Sequence, residues 1–453
     1  MIYQDIINSQ RNYFNSNKTK NVEFRKAQLL KLKHMIKSHE DDLCEALRTD
    51  LSKSKTESYL TEISIVYSEI NSALKTLDRF ARPSYKKIPL HLIGSLGYTL
   101  KEPYGTVLIL APWNYPVQLT LAPLVGALAA GNTAIVKSSE SSLATSTLLQ
   151  KLLNETFPTE VVYCLDPKVD PELLFKFKYD YIFFTGSEKI GKQIMAHAAK
   201  YLTPVTLELG GKSPTFVTRS ANITQAAKRI VWAKLLNAGQ TCVAPDYILV
   251  DKSVKDEFIE QVLDQIQRQC PKGVLEETYP CMINAKHYLR IKKLIGEEMY
   301  KTETSFDDNT RKIGLTLFTH ATFNSPIMKE EIFGPILPII EYDEIGEVIE
   351  IVKSKAKPLA CYIFSKNKEV SKRIIEEVSF GGGCINDCVM HLANHHLPFG
   401  GVGQSGMGSY HGKYSLETFS HTKSIQNNTY LIDLPLRYSK QDKTLNIIRK
   451  IMK

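Results

Sequence analysis

The segment 235–246 reads LLNAGQTCVAPD and places Cys242 on a Gly-Gln-Thr loop after a predicted helix, with small neighbours that leave the sulfur open to a substrate. A free thiol ionises near pH ~8.5, so a nucleophile at this position needs a lowered pKa or a base. An inert loop cysteine is the plain alternative. The segment 207–214, LELGGKSP, ends an apolar strand on Glu208 and follows it with two glycines. A carboxyl in a half-apolar pocket has a raised pKa and suits a general base; an exposed strand end is the alternative. In LAPWNYPV (110–117) two prolines stiffen the loop around Asn114, whose amide can steady a developing oxyanion or can merely form a turn. FFTGSEKIG (183–191) runs from an apolar strand into Gly186, Ser187 and a helix start, a weak phosphate-turn signal with Ser187 as an ordinary N-cap otherwise. His391 and His395 stand four apart in HLANHH, but no HExxH or cysteine pair accompanies them, so no metal is expected.

These residues need a scaffold. The chain has 453 residues, enough for two or three domains. Apolar residues make up 43% and charged residues 23%, which excludes a disordered or fibrous chain. The net charge of +9 is mild and interspersed, so a solvated surface is favoured over a nucleic-acid partner. Eight cysteines without a CxxC, and an N-terminus without a signal-peptide pattern, point to a reducing cytoplasmic location. The uncharged stretch 103–136 is long enough for a membrane span. Pro112, Pro116, Pro123, Asn114 and Asn132 make it a buried strand, loop, helix and strand instead.

Periodicity predicts helices over 22–80, with Lys and Glu on the outer faces, and a β-hairpin or excursion over 82–103. Apolar runs at 105–111, 133–137, 161–165, 181–185 and 205–209 alternate with helices at 119–130, 140–155 and 187–200. Such alternation means a parallel α/β sheet. A second α/β region runs to about 400, with strands at 247–250, 336–340 and 360–364. The tail 433–453 carries six basic and two acidic residues. Leu445, Ile448 and Met452 suggest either a docked helix or a basic amphipathic anchor that touches a membrane surface.

The ordered set APWNYP (111–116), AAGNTAIVKSSE (129–140), FFTGSEKIG (183–191), LELGGKSP (207–214), NAGQTCVAPD (237–246), EEIFGPILP (330–338) and LPFGGVGQSGMGSYHG (397–412) resembles the NAD(P)-dependent aldehyde dehydrogenases, in their class 3-like branch. The resemblance implies a Rossmann-type cofactor domain (1–81 and 104–209), a catalytic α/β domain (210–400), oligomerisation and bridging elements (82–103 and 401–432), and a homodimer. It implies Cys242 as nucleophile, Glu208 as base and Asn114 as oxyanion donor. Cofactor contacts are implied for Trp113, Lys137, Glu140, Gly186, Ser187, Gly191, Leu209, Glu331 and Phe333, and a place in the substrate pocket for Tyr115. The expected reaction takes apolar long-chain, aromatic or polyene aldehydes to acids through a thiohemiacetal and a thioester. NAD is favoured, since Glu140 sits poorly beside a 2′-phosphate, with NADP possible. Here the cofactor-side run Lys137-Ser138-Ser139-Glu140 lacks the family's proline. A CoA-acylating reductase, a non-catalytic relative and a cysteine hydrolase are the rival readings; Glu208 favours hydrolysis over transfer to a thiol.

Overall fold

The computed structural model describes residues 2–432 and 435–451. The chain opens with helices Ile2–Asn15, Val22–Ser38, Glu40–Leu51 and Ser64–Phe80. The first of these was not expected from the sequence pattern. A π-helical turn, Tyr59–Ile63, leads into the helix that follows it. Asn21 starts the second helix, its side chain accepting from Phe24 N at 3.0 Å. The expectation that lysines and glutamates of this region all face solvent is wrong at Lys53, Glu62 and Glu69, which are buried.

Strands β1 (Ser84–Lys86) and β2 (Leu96–Pro103) form the expected hairpin. Next come β3 (Thr106–Leu110), β4 (Thr133–Lys137), β5 (Val162–Cys164), β6 (Tyr181–Thr185) and β7 (Val205–Glu208), all mutually parallel. Strands β8 (Pro214–Val217) and β9 (Tyr247–Asp251) begin a second sheet. After a short hairpin of β10 (Phe306–Asp307) and β11 (Lys312–Ile313), that sheet continues with β12 (Thr316–Phe318), β13 (Ile336–Tyr342), β14 (Ala360–Phe364) and β15 (Gly382–Ile385). The strand β16 (Gly406–Met407) adds antiparallel to β7, and β17 (Ser420–Asn427) pairs antiparallel with β2. Residues 401–432 are therefore spread over two sheets, with the helix Lys413–Thr418 between them.

The first sheet has the order β16-β7-β6-β3-β4-β5. Chain direction across it reverses between β3 and β6, so a crevice opens beyond their carboxyl ends. Leu110 lies level with Lys137 on β4, and Thr185 level with Glu208 on β7. The sequence motifs thus sit at one edge because they follow, or end, parallel strands. The helix between β3 and β4 runs over Pro116–Ala130, three residues longer than periodicity suggests. Proline is well suited to its first position, and the buried Pro123 is tolerated inside it. The second sheet, β12-β13-β9-β8-β14-β15, is parallel throughout. One apolar cluster joins both sheets through residues such as Val107, Leu121, Ile230 and Ile248.

In the tail, Leu445–Ile451 is helical and Leu445 is exposed, while Met452 lies outside the described residues. Among the described residues no helix is long and apolar enough to cross a membrane.

Candidate active site

Cys242 and Glu208 line one cavity of about 330 Å³, together with Tyr115, Leu119, Trp232 and Phe399. The walls are mostly apolar, as in small-molecule sites generally. Burial, then the nearby Glu331 and Glu208 carboxyls, pushes the Cys242 thiol up to about 12, so the sulfur is protonated at rest. Glu208 is buried, and neither carboxylate oxygen has a hydrogen-bond partner. Burial alone drives its pKa well above the usual carboxylate range. A buried carboxyl left without donors is costly to the fold. It is suited to taking a proton from a water or a thiol brought beside it.

Asn114 is buried on the loop after β3. Its Nδ2 donates to Gln240 O at 3.0 Å, two residues before Cys242. Its own carbonyl accepts from Asn237 Nδ2 at 2.7 Å and Lys53 Nζ at 3.0 Å. Three successive residues, Asn237, Ala238 and Gly239, adopt φ of 50°, 50° and 73° on the approach to the cysteine. This is left-handed backbone, which costs a non-glycine residue about 1 kcal/mol or more. The Asn237 N–H is held by Glu57 Oε1 at 2.7 Å, and Gln240 Nε2 donates to Asn237 O and Cys281 O. Tyr115 is tied to the same loop through its hydroxyl, 2.6 Å from Thr241 Oγ1.

The remaining predicted residues fall along the edge of the first sheet. Gly186 and Ser187 precede the helix Glu188–Ala199, and Ser187 stands at its N-cap position without a side-chain cap bond. The first-turn N–H groups are left for an anion. Gly191 is packed under Leu209, which a Cβ there would meet at 3.0 Å. Leu209 therefore seats this helix on the sheet. Lys137 ends β4, its Nζ donating to Pro167 O at 3.2 Å and Ser138 O at 3.3 Å, while Glu140 is exposed. The turn after Lys137 is held by Ser146 Oγ, which donates to Ser139 O at 2.8 Å. On the other side of the cleft, the Glu331 carboxyl lies against Gly210, where any side chain would collide with it. Burial, then Asp246, raises Glu331 to about 8. Phe333 has φ 48° and meets Trp113 edge-on at 5.4 Å. Lys212 fastens this stretch by an ion pair to Asp246 and bonds to Ile327 O and Glu330 O. An uncapped helix start, a lysine at a strand end, glycines against a carboxyl and an aromatic pair suit a dinucleotide. Among the described residues, no group of three His, Cys, Asp or Glu side chains that could hold a metal ion is found.

Sequence reasoning missed Lys53, Glu57 and Glu62. All three carry charges in a helical region where charge normally reads as solvent-facing. Asn237 lies inside the NAGQTCVAPD motif, and its type, with the Gly239 beside it, is the signal that could have marked the left-handed turn.

The Aldehyde dehydrogenase family model matches residues 3–425. A 4,4′-diaponeurosporen-aldehyde dehydrogenase of Staphylococcus aureus is 47% identical over 416 residues, 91% of each chain. A rat aldehyde dehydrogenase described as dimeric and NADP-preferring is 40% identical over 423 residues, 93% of each chain. A solved structure described as the substrate-bound state of Staphylococcus aureus AldH superposes with a TM-score of 0.97 at 44% identity, covering 100% of both chains.

Proposed function

The chain belongs to the aldehyde dehydrogenase family, and from that premise we propose that it oxidises apolar aldehydes to carboxylic acids with Cys242, Glu208 and Asn114 in the roles below. The observation that carries this reading is a sulfur and an unpartnered carboxyl on one apolar cavity, with the Asn114 amide bonded two residues from the sulfur.

Cys242 Sγ gives up its proton to solvent and adds to the aldehyde carbon, and the C=O π pair moves onto the oxygen as an alkoxide. The oxygen of the resulting thiohemiacetal is steadied by the second Asn114 N–H, a donor of a kind worth roughly 3 kcal/mol in the transition state. Covalent attachment fixes the carbon in place, so the next step is oriented rather than diffusional. Lys137, the Gly186–Ser187 turn, Glu331 and Phe333 would hold the nicotinamide cofactor, which when bound supplies a hydride acceptor and a ring charge that favours the thiolate. The oxidised carbon is then a thioester on Sγ. Glu208 takes a proton from water, the oxygen adds to the thioester, and the acid leaves as the sulfur is restored.

The apolar walls support long-chain, aromatic or polyene substrates, in line with the aldehyde in the name of the Staphylococcus aureus relative. Exposed Glu140 would repel a 2′-phosphate, and Lys137 Nζ is shared with two carbonyls, so NAD is preferred and NADP accepted. Equal kcat/KM with both cofactors would overturn that order. The test of the main reading is a panel of aldehydes from short polar to polyene, with reduced cofactor and acid both measured. Apolar substrates give stoichiometric acid, even with CoA present, and Cys242→Ala loses turnover at least ~1,000-fold while still binding cofactor. Acyl-CoA product, or turnover in Cys242→Ala, would sink it. The basic C-terminal helix is read as a peripheral membrane contact; vesicle binding unchanged after removal of 433–453 would refute this.

A further inference from the structure

We propose that the buried ion pair Lys53–Glu62 is a positioning device for Asn114, an inference that rests on Asn114 being the oxyanion donor. Both side chains are 0% exposed, and Lys53 Nζ lies 2.7 Å from Glu62 Oε1. The same ammonium donates to Asn114 O at 3.0 Å and lies 3.9 Å from the centre of the Tyr115 ring. Its three hydrogens are thus directed at a carboxylate, a carbonyl and a π face. The other oxygen of Glu62 accepts from Val117 N at 2.8 Å and Gln118 N at 3.2 Å. Those are first-turn N–H groups of the helix that starts at Pro116, where a carboxylate is favoured. One ion pair therefore grips the loop at Asn114 itself and at the helix start just after it, and Asn237 Nδ2 is the second donor on the Asn114 carbonyl.

Stability alone does not account for such a pair. Each ion loses its hydration on burial, and an apolar pair of similar size often serves a fold as well or better. What the charges add is direction. Glu62 reaches inward from the π turn Tyr59–Ile63, a helix irregularity of a kind frequent at functional sites. Lys53 projects from the loop between helices Glu40–Leu51 and Lys55–Ser58. Lys53 thus holds the Asn114 carbonyl and Glu62 the helix start three residues on, while the Asn114 amide is held toward Gln240 O. A shift of about 1 Å in a reacting group can cost a hundredfold in rate.

The experiment is a double-mutant cycle on the full-length enzyme. Lys53→Met alone would strand a buried carboxylate, so the informative variant is the charge-neutral Lys53→Met/Glu62→Gln. It is paired with Asn114→Ala and with the triple variant. The expected result is a kcat about 10- to 100-fold lower in the neutral pair, with cofactor Kd, read by protein fluorescence, within about twofold. In the Asn114→Ala background the same pair adds less than about threefold, because its effect runs through the missing amide. Lys53→Arg keeps the charge but not its point geometry, and lowers kcat about tenfold at a near-native melting temperature. Multiplicative losses in the cycle, a wild-type kcat in Lys53→Arg, or an equal loss of cofactor affinity would overturn the inference. Wild-type kcat in Asn114→Ala would instead remove the oxyanion assignment on which it stands.

Discussion

Glu208 has no donor on either oxygen in the resting enzyme, and burial holds its proton well past the usual carboxylate range. A base works only when deprotonated, so thioester hydrolysis is expected to quicken as pH rises. Glu208→Gln should keep a burst of reduced cofactor, since acylation needs Cys242, while the steady state falls ~100-fold or more and loses its rise with pH. Rapid-mixing traces across pH 6 to 9 check this; an unslowed steady state would strip Glu208 of its role. Sequence made these side chains visible because Glu208 ends a parallel strand and Cys242 follows a helix and a glycine turn, each within a distinctive motif. The supports of Asn114 were not visible. Lys53, Glu57 and Glu62 are charges on helical ground, and only packing reveals that they face inward.

Elements bring the site together through a few buried staples, and Glu69 is one whose burial grows costlier as pH rises and its carboxyl ionises. It sits on helix Ser64–Phe80, is 2% exposed, and accepts from Gly412 N at 2.8 Å. That bond ties the helix to the 397–412 segment, where His411 has φ 83° and Gly412 φ 53°. Burial raises the Glu69 pKa to about 7. The unfolded chain releases this proton near pH 4.5 and the folded chain near 7, so the folded state binds more protons in between. Stability attached to Glu69 is therefore full below pH ~4.5 and is lost as pH climbs through 7, by up to roughly 3 kcal/mol. Glu69→Gln keeps the acceptor and has no proton to lose. Its melting temperature should gain on the wild type steadily from pH 5 to pH 8, and a constant difference would show that Glu69 does not titrate in this way. The parallel α/β character of the sheets was legible from alternating apolar runs; their strand order was not. The helix Ile2–Asn15 and the dispersal of 401–432 were not, because both depend on partners far along the chain.

At the scale of the whole molecule, the three-stranded sheet β1-β2-β17 is unlike the other two large sheets. Both of its edges are open, and β1 and most of β17 are exposed. Around it Tyr85, Leu90, Ile93 and Leu96 present their side chains to solvent. Unpaired strand edges beside exposed apolar residues are a template for association and are costly to leave uncovered. The reading that best covers them is a homodimer built through this sheet, with twofold symmetry as the common arrangement. A stable interface of this kind buries about 1,600 Å² in total, and charges placed at its apolar centre are poorly tolerated. Leu90→Asp combined with Ile93→Asp replaces two exposed side chains far from Cys242, so a folded monomer should survive. Light scattering is expected to give twice the chain mass for the wild type and a single chain mass for the variant at micromolar concentration. A wild type that runs as one chain, or a variant that stays paired, would move the interface elsewhere or remove it.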